Sequence, residues 1–101
     1  MALDLRLDPQ AAKDLRSIRA YLLAEAGPAV AERVRSHLLE RIKSLRGNPK
    51  LGVAATEPDI RVLAAARYPY RIYYTITADS IVILHVRHSA RRDPDFEDLS
   101  N

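Results

Sequence analysis

The sequence has no cysteine, only three lysines, and no Gly-rich loop of the kind that cradles phosphate. Without thiols there is neither a disulfide framework nor a thiolate metal site, and a packed core must hold the fold. The three histidines, His37, His85 and His88, stand too far apart to give metal-ligand spacing, so no metal and no other cofactor is expected. No apolar run approaches the roughly 20 residues of a membrane span. Asp4, Arg6 and Asp8 interrupt the N-terminus where a signal peptide needs an unbroken apolar stretch. A cytoplasmic protein with no membrane partner is therefore expected.

What is present fits one small domain, residues 1–101, with 48% apolar residues. A chain of this length buries only about two-thirds of its unfolded surface, so stability is modest and a partner covering apolar surface matters. The net charge is +3, but its distribution says more. Residues 60–92 hold Arg61, Arg67, Arg71, Arg87, Arg91 and Arg92 against one acid, Asp79, and the last nine residues carry Asp93, Asp95, Glu97 and Asp98 with no base. Arginine suits phosphate and carboxylate partners better than lysine does, because its planar fork donates in pairs. A GC-rich genome produces the same overall preference without functional meaning.

Leu3, Leu5 and Leu7 alternate with Asp4, Arg6 and Asp8, the period of a half-buried strand. Asp8-Pro9 reads as an N-cap followed by proline at the first helical position. Ala11, Leu15, Ile18, Leu22 and Ala26 then recur at helical spacing, with Lys13, Asp14, Arg16, Ser17 and Arg19 set opposite them. Gly27 stops this helix and Pro28 opens a second, striped by Val30, Val34, Leu38, Ile42 and Leu45 and ended by Gly47-Asn48-Pro49. So short a connection makes an antiparallel helix hairpin. After a loop over about residues 49–58 come three strand candidates, 60–64, 70–77 and 81–88. The acidic C-terminal stretch reads as one helical turn capped by Asp93.

The turn near Ala78-Asp79-Ser80 sets the register of the last two strands, and a slip of one residue exchanges their faces. A two-residue loop aligns Ile72, Tyr74 and Ile76 with Ile81 and Ile83; a three-residue loop aligns them with Val82, Leu84 and Val86. The longer loop is preferred, since the Asn-Gly or Asp-Gly of a two-residue turn is missing. It makes Tyr70 and Tyr74 core and leaves Tyr68 and Tyr73 free to stack on a base or partner. His85 becomes a polar outward residue, and Arg71 is set opposite Arg87. Like charges so placed are mildly destabilising. Either an anion lies between them or acidic residues of the chain neutralise them. His37, beside a helix stripe, is read as structural.

Three stretches carry a resemblance. AAKDLRSIRAYLLAEAGPAVAERV has Ala12, Asp14-Leu15, Ile18, Tyr21-Leu22 and a corner at Gly27; IKSLRGNPKLG has Leu45, Pro49 and Gly52; YPYRIYYTITADSIVILHVRHSARRDP opens on Tyr70-Arg71-Ile72 and ends on His85-Val86-Arg87-His88 and Ala90-Arg91-Arg92. In this order and spacing they resemble the RelE/ParE toxins of type II toxin–antitoxin systems, and ParE more than RelE. The resemblance implies an α+β fold, in which an N-terminal strand and an antiparallel helix hairpin precede three C-terminal antiparallel strands, with the helices on one face of a small sheet. It also implies growth arrest of a bacterial host by inhibition of DNA gyrase without catalysis. Arg71, Tyr73, Arg87, His88, Arg91 and Arg92 would be the target contacts. The expected keeper is a ParD-like antitoxin whose acidic, disordered segment folds against the helix hairpin and the basic sheet. The alternatives are a non-toxic binding relative and a RelE-like, metal-independent endoribonuclease acting on mRNA at the ribosome through Arg61, Arg71, Arg87 and His88. The ribonuclease reading meets a departure, because Arg87-His88-Ser89-Ala90-Arg91 lacks the tyrosine common in RNA-cutting relatives.

Overall fold

Helix formation begins where the sequence places its strongest local signal. In the computed structural model, which describes residues 3–90 and 94, the Asp8 carboxylate accepts from the Gln10 N–H at 2.9 Å and Pro9 opens α1, Pro9–Ala26. Strand β1, Asp4–Leu7, precedes it, and α2, Pro28–Ser44, follows after Gly27 alone. Gly27 has φ +88°, a backbone conformation that side chains other than hydrogen rarely adopt. One residue thus ends one helix and begins the next. Four strands follow: β2 (Val53–Ala54), β3 (Arg61–Ala64), β4 (Tyr70–Ile76) and β5 (Ser80–His88). Only β2 has no counterpart in the sequence pattern, being a two-residue edge.

The five strands form one sheet in the order β1-β5-β4-β3-β2, antiparallel except where β1 lies parallel to β5. The expected α+β architecture holds. Val34, Leu38 and Ile42 of α2 and Leu45, which caps it, pack with Ala11 of α1 onto Leu63, Ile72, Tyr74, Ile81, Ile83 and Val86 of the sheet. Leu15, Ile18 and Leu22 of α1 are only half-buried, so α2 supplies the deep helical wall and α1 the shallow one.

The β4–β5 register corrects the preferred reading. Ile76 faces Ile81 and Tyr74 faces Ile83, as a two-residue loop requires; a bulge then shifts the ladder, so that Tyr73 faces His85, Ile72 faces Val86 and Arg71 faces Arg87. Leu84 is the extra residue. The cause is the spacing of the apolar side chains: Ile81, Ile83 and Val86 all enter the core, and steps of two and then three residues fit one face only across a bulge. Val82 and Leu84, expected in the core, are half-buried. Each register holds over half the hairpin, and the opposition of Arg71 and Arg87 survives.

At the other end of the sheet, the Tyr74 hydroxyl accepts from the Gly52 N–H at 2.9 Å and donates to the Pro49 carbonyl at 2.7 Å. A Cβ on Gly52 would stand 2.7 Å from the Val62 carbonyl oxygen and 2.9 Å from the Tyr74 ring and hydroxyl. Gly52→Ala is expected to cost about 1–3 kcal/mol by overpacking. Tyr74→Phe is expected to cost a similar amount, about 1–3 kcal/mol, by stranding a buried donor. Thermal unfolding of each variant checks this: a midpoint within about a degree of the parent would contradict the packing described, since 1 kcal/mol shifts a domain of this size by roughly 4–8 °C.

Candidate functional site: a charged strand end beside an apolar groove

Strand β1 accompanies β5 only as far as Ile83, so that among the described residues the outer edge of β5 has no strand partner from Leu84 onward. The second turn of α1 fills that gap. Asp14 Oδ2 accepts from the Val86 N–H at 3.0 Å and lies 2.7 Å from His85 Nδ1, whose proton it takes up in a second hydrogen bond. Gln10 Nε2 donates to the other carboxylate oxygen at 2.9 Å. His85 is therefore buried, 4% exposed, rather than turned outward. Asp14, assigned by pattern to the polar side of α1, is half-buried. Its spacing carried the signal: it lies three residues after Ala11 and four before Ile18, at the margin of the apolar stripe.

This anchor holds the end of β5, where the charged residues gather. Arg71 and Arg87 stand opposite each other, and Tyr70 faces His88. The Arg71 guanidinium lies 5.8 Å from the centre of the Tyr73 ring. Tyr73, expected to be free for stacking, is 1% exposed. The His88 ring meets Tyr70 edge-on at 5.5 Å, and its Nδ1 accepts from the Ala90 N–H at 3.1 Å. Burial, and then the neighbouring Tyr21, raises the pKa of the Tyr70 phenol above its ordinary value.

Arg61 does not join this cluster. Its Nε and Nη2 donate to the Gly52 carbonyl at 3.1 and 2.7 Å, and Nη2 also reaches the Lys50 carbonyl at 3.3 Å. It clamps the loop after α2, which no local pattern announces. Arg91 and Arg92, and the helical turn expected from Asp93, lie outside the described residues. Among the described residues no group of His, Asp and Glu is placed to hold a metal ion.

Behind the strand end opens a groove of about 620 Å³. Ile18 and Leu22 of α1, Val30 and Val34 of α2, and Tyr70 and Val86 of the sheet line it; Asp14, Arg87 and His88 stand at its charged side. Tyr68 lines it too and meets His37 edge-on at 5.2 Å, while His37 Nε2 bonds the Ala65 carbonyl, the structural role expected of that histidine. Tyr21 is 63% exposed beside the groove. Asp14→Ala is expected to destabilise the chain by about 2–4 kcal/mol, since two donors lose one acceptor. Asp14→Asn, which keeps an acceptor oxygen, should lose less. Denaturant midpoints of the two variants check the ordering; equal losses would contradict it.

Comparison with known proteins converges on one family. Residues 5–93 match the family described as the ParE toxin of type II toxin–antitoxin systems, parDE. The toxin RelE3 of Caulobacter vibrioides is 31% identical over 90 residues, covering 87% of this chain and 96% of its own. In the chromosomal ParDE system of P. aeruginosa, one chain superposes with a TM-score of 0.80 at 25% identity, over 86% of this chain and 96% of that one. E. coli RelE, as a mutant in the free state, shares the fold with a TM-score of 0.61 at 19% identity, covering 88% of this chain and 85% of its own. With this family's model matched over residues 5–93, the chain belongs to the ParE toxin family of type II toxin–antitoxin systems.

Proposed function

We propose that this toxin inhibits DNA gyrase without catalysing a reaction, and that a ParD-like antitoxin neutralises it. The observation that carries this reading is how little of a nuclease the strand end assembles. Of the four residues an RNA-cutting relative would use, Arg71, Arg87 and His88 come together, while Arg61 is engaged with loop carbonyls. Asp14, whose carboxylate lies beside His85, already serves two donors on β5 and one on its own helix. Ser89 and Ala90 follow His88 where a tyrosine would stack or donate a proton. The same positive strand end suits contact with gyrase or its DNA through Arg71, Arg87 and His88, continued in sequence by Arg91 and Arg92. Such a target also places the toxin in the cytoplasm.

The groove supports the antitoxin half of the proposal. Its apolar walls fit the buried side of a helix, and Arg87 and His88 fit acidic residues beside that side. A disordered acidic segment that folds there combines apolar burial with charge pairing. A ribonuclease remains the second reading, favoured by the RelE name of the relative from C. vibrioides.

A supercoiling assay with purified toxin, gyrase, ATP and plasmid, with and without antitoxin, tests the proposal. Loss of supercoiling or linearised plasmid, reversed by antitoxin, is the expected outcome. Unimpaired gyrase together with cleaved mRNA on translating ribosomes would replace it with the second reading. Leu22→Glu places a charge in the groove wall and is expected to weaken antitoxin binding about 100-fold or more, while gyrase inhibition persists. Titration calorimetry beside the supercoiling assay separates the two effects.

A further inference from the structure

The two edges of the sheet are unequal. Strand β2 is two residues long and ends the sheet bluntly, whereas β1 presents a regular edge next to β5. The Asp4 N–H donates to the Asp79 carbonyl at 3.0 Å and the Asp8 N–H to the Ile83 carbonyl at 2.8 Å. Alternate residues of a parallel strand address its neighbour, so Asp4, Arg6 and Asp8 turn their backbone groups toward β5. Leu3, Leu5 and Leu7 turn theirs outward, away from the sheet. Such an edge is a template for another strand. None of the groove residues lies on it.

We propose that the β1 edge is a self-association surface, on which a second copy of this chain pairs its own β1 antiparallel about a twofold axis. Charge complementarity selects the register. A twofold pairing centred on Leu5 sets Leu5 against Leu5, Leu3 against Leu7, and Asp4 of each copy against Arg6 of the other. It matches outward-pointing residues with outward-pointing residues, as hydrogen-bonded pairs need. Centring on Arg6 instead opposes Arg6 to Arg6 and Asp4 to Asp8, so that like charges face each other across the seam. The two registers pair outward backbone groups equally well, and the charges on the exposed face favour the one centred on Leu5.

The side chains agree. Asp4 and Arg6 are exposed on one face of β1, and Leu3 and Leu5 pack toward the core on the other. Leu7 remains 43% exposed at the end of the strand, where the second copy's Leu3 would meet it. Arg46 Nε reaches the Leu3 carbonyl at 3.3 Å, so that carbonyl exchanges one donor for another on pairing. An edge contact this short makes a weak dimer, populated at high concentration and continuous with the sheet.

Sedimentation velocity of the free, full-length toxin from micromolar to millimolar concentration tests the proposal. A concentration-dependent monomer–dimer equilibrium is expected. Arg6→Glu, on the exposed face, replaces both Asp–Arg pairs by like charges and should raise the dimer dissociation constant about tenfold or more. The double variant Asp4→Arg with Arg6→Asp should restore dimerisation. Leu5→Pro removes an outward donor without touching the ladder to β5 and should abolish it; Leu5→Ala controls for the lost packing, and circular dichroism checks that each variant is folded. A toxin that stays monomeric throughout, or a dimer indifferent to Arg6→Glu, would overturn the proposal.

Discussion

The far end of the sheet is organised by a single carboxylate. Strand β1 is four residues long, and where it stops, β5 continues with an edge that no strand of the described residues covers. An unpaired buried N–H costs as much as a lost hydrogen bond, so something must accept from it. Asp14 does, from a helix rather than a strand, and it takes His85 in the same grip. Helix α1 is thereby joined to the sheet by polar bonds one turn after Ala11, its buried apolar residue. The groove, the strand end and the position of Arg87 two residues along all inherit their geometry from this contact.

The bulge at Leu84 is the second constraint, and it works with the first. It lets β5 bury Ile81 and Ile83 on one side of the irregularity and Val86 on the other, while Arg71 and Arg87 remain opposite each other. Two arginines on facing strands concentrate positive potential where a straight ladder would have set Arg87 beside a different neighbour. Tyr73 lies under the Arg71 guanidinium and supports it from below.

Much of this was readable from the sequence, and what was readable was local. Asp8-Pro9 as a cap, Gly27-Pro28 as a corner and the stripe from Val34 to Leu45 depend on neighbours within a helical turn or two. The opposition of Arg71 and Arg87 followed from a register that is correct beyond the bulge and wrong before it. The bulge was not readable, because either loop length buries an acceptable set of β-branched residues. The burial of His85 depends on a partner 71 residues away and on where an unrelated strand happens to end. The surroundings of Arg61 were unreadable for a related reason: a guanidinium surrounded by sheet sequence gives no sign that loop carbonyls will engage it. Gly52 and Tyr74 share a close approach that becomes visible only when strand and loop are brought together.

The one-residue corner at Gly27 bears on how fast a partner can be captured. The groove lies between the C-terminal half of α1 and the N-terminal half of α2, next to that corner. A connection without slack gives the two helices little freedom to splay, so the cleft exists before anything enters it. The ordering that accompanies binding then falls on the incoming segment. Its association rate reports how readily that segment folds, and the residence time of the complex reports how well its side chains match walls that do not adjust.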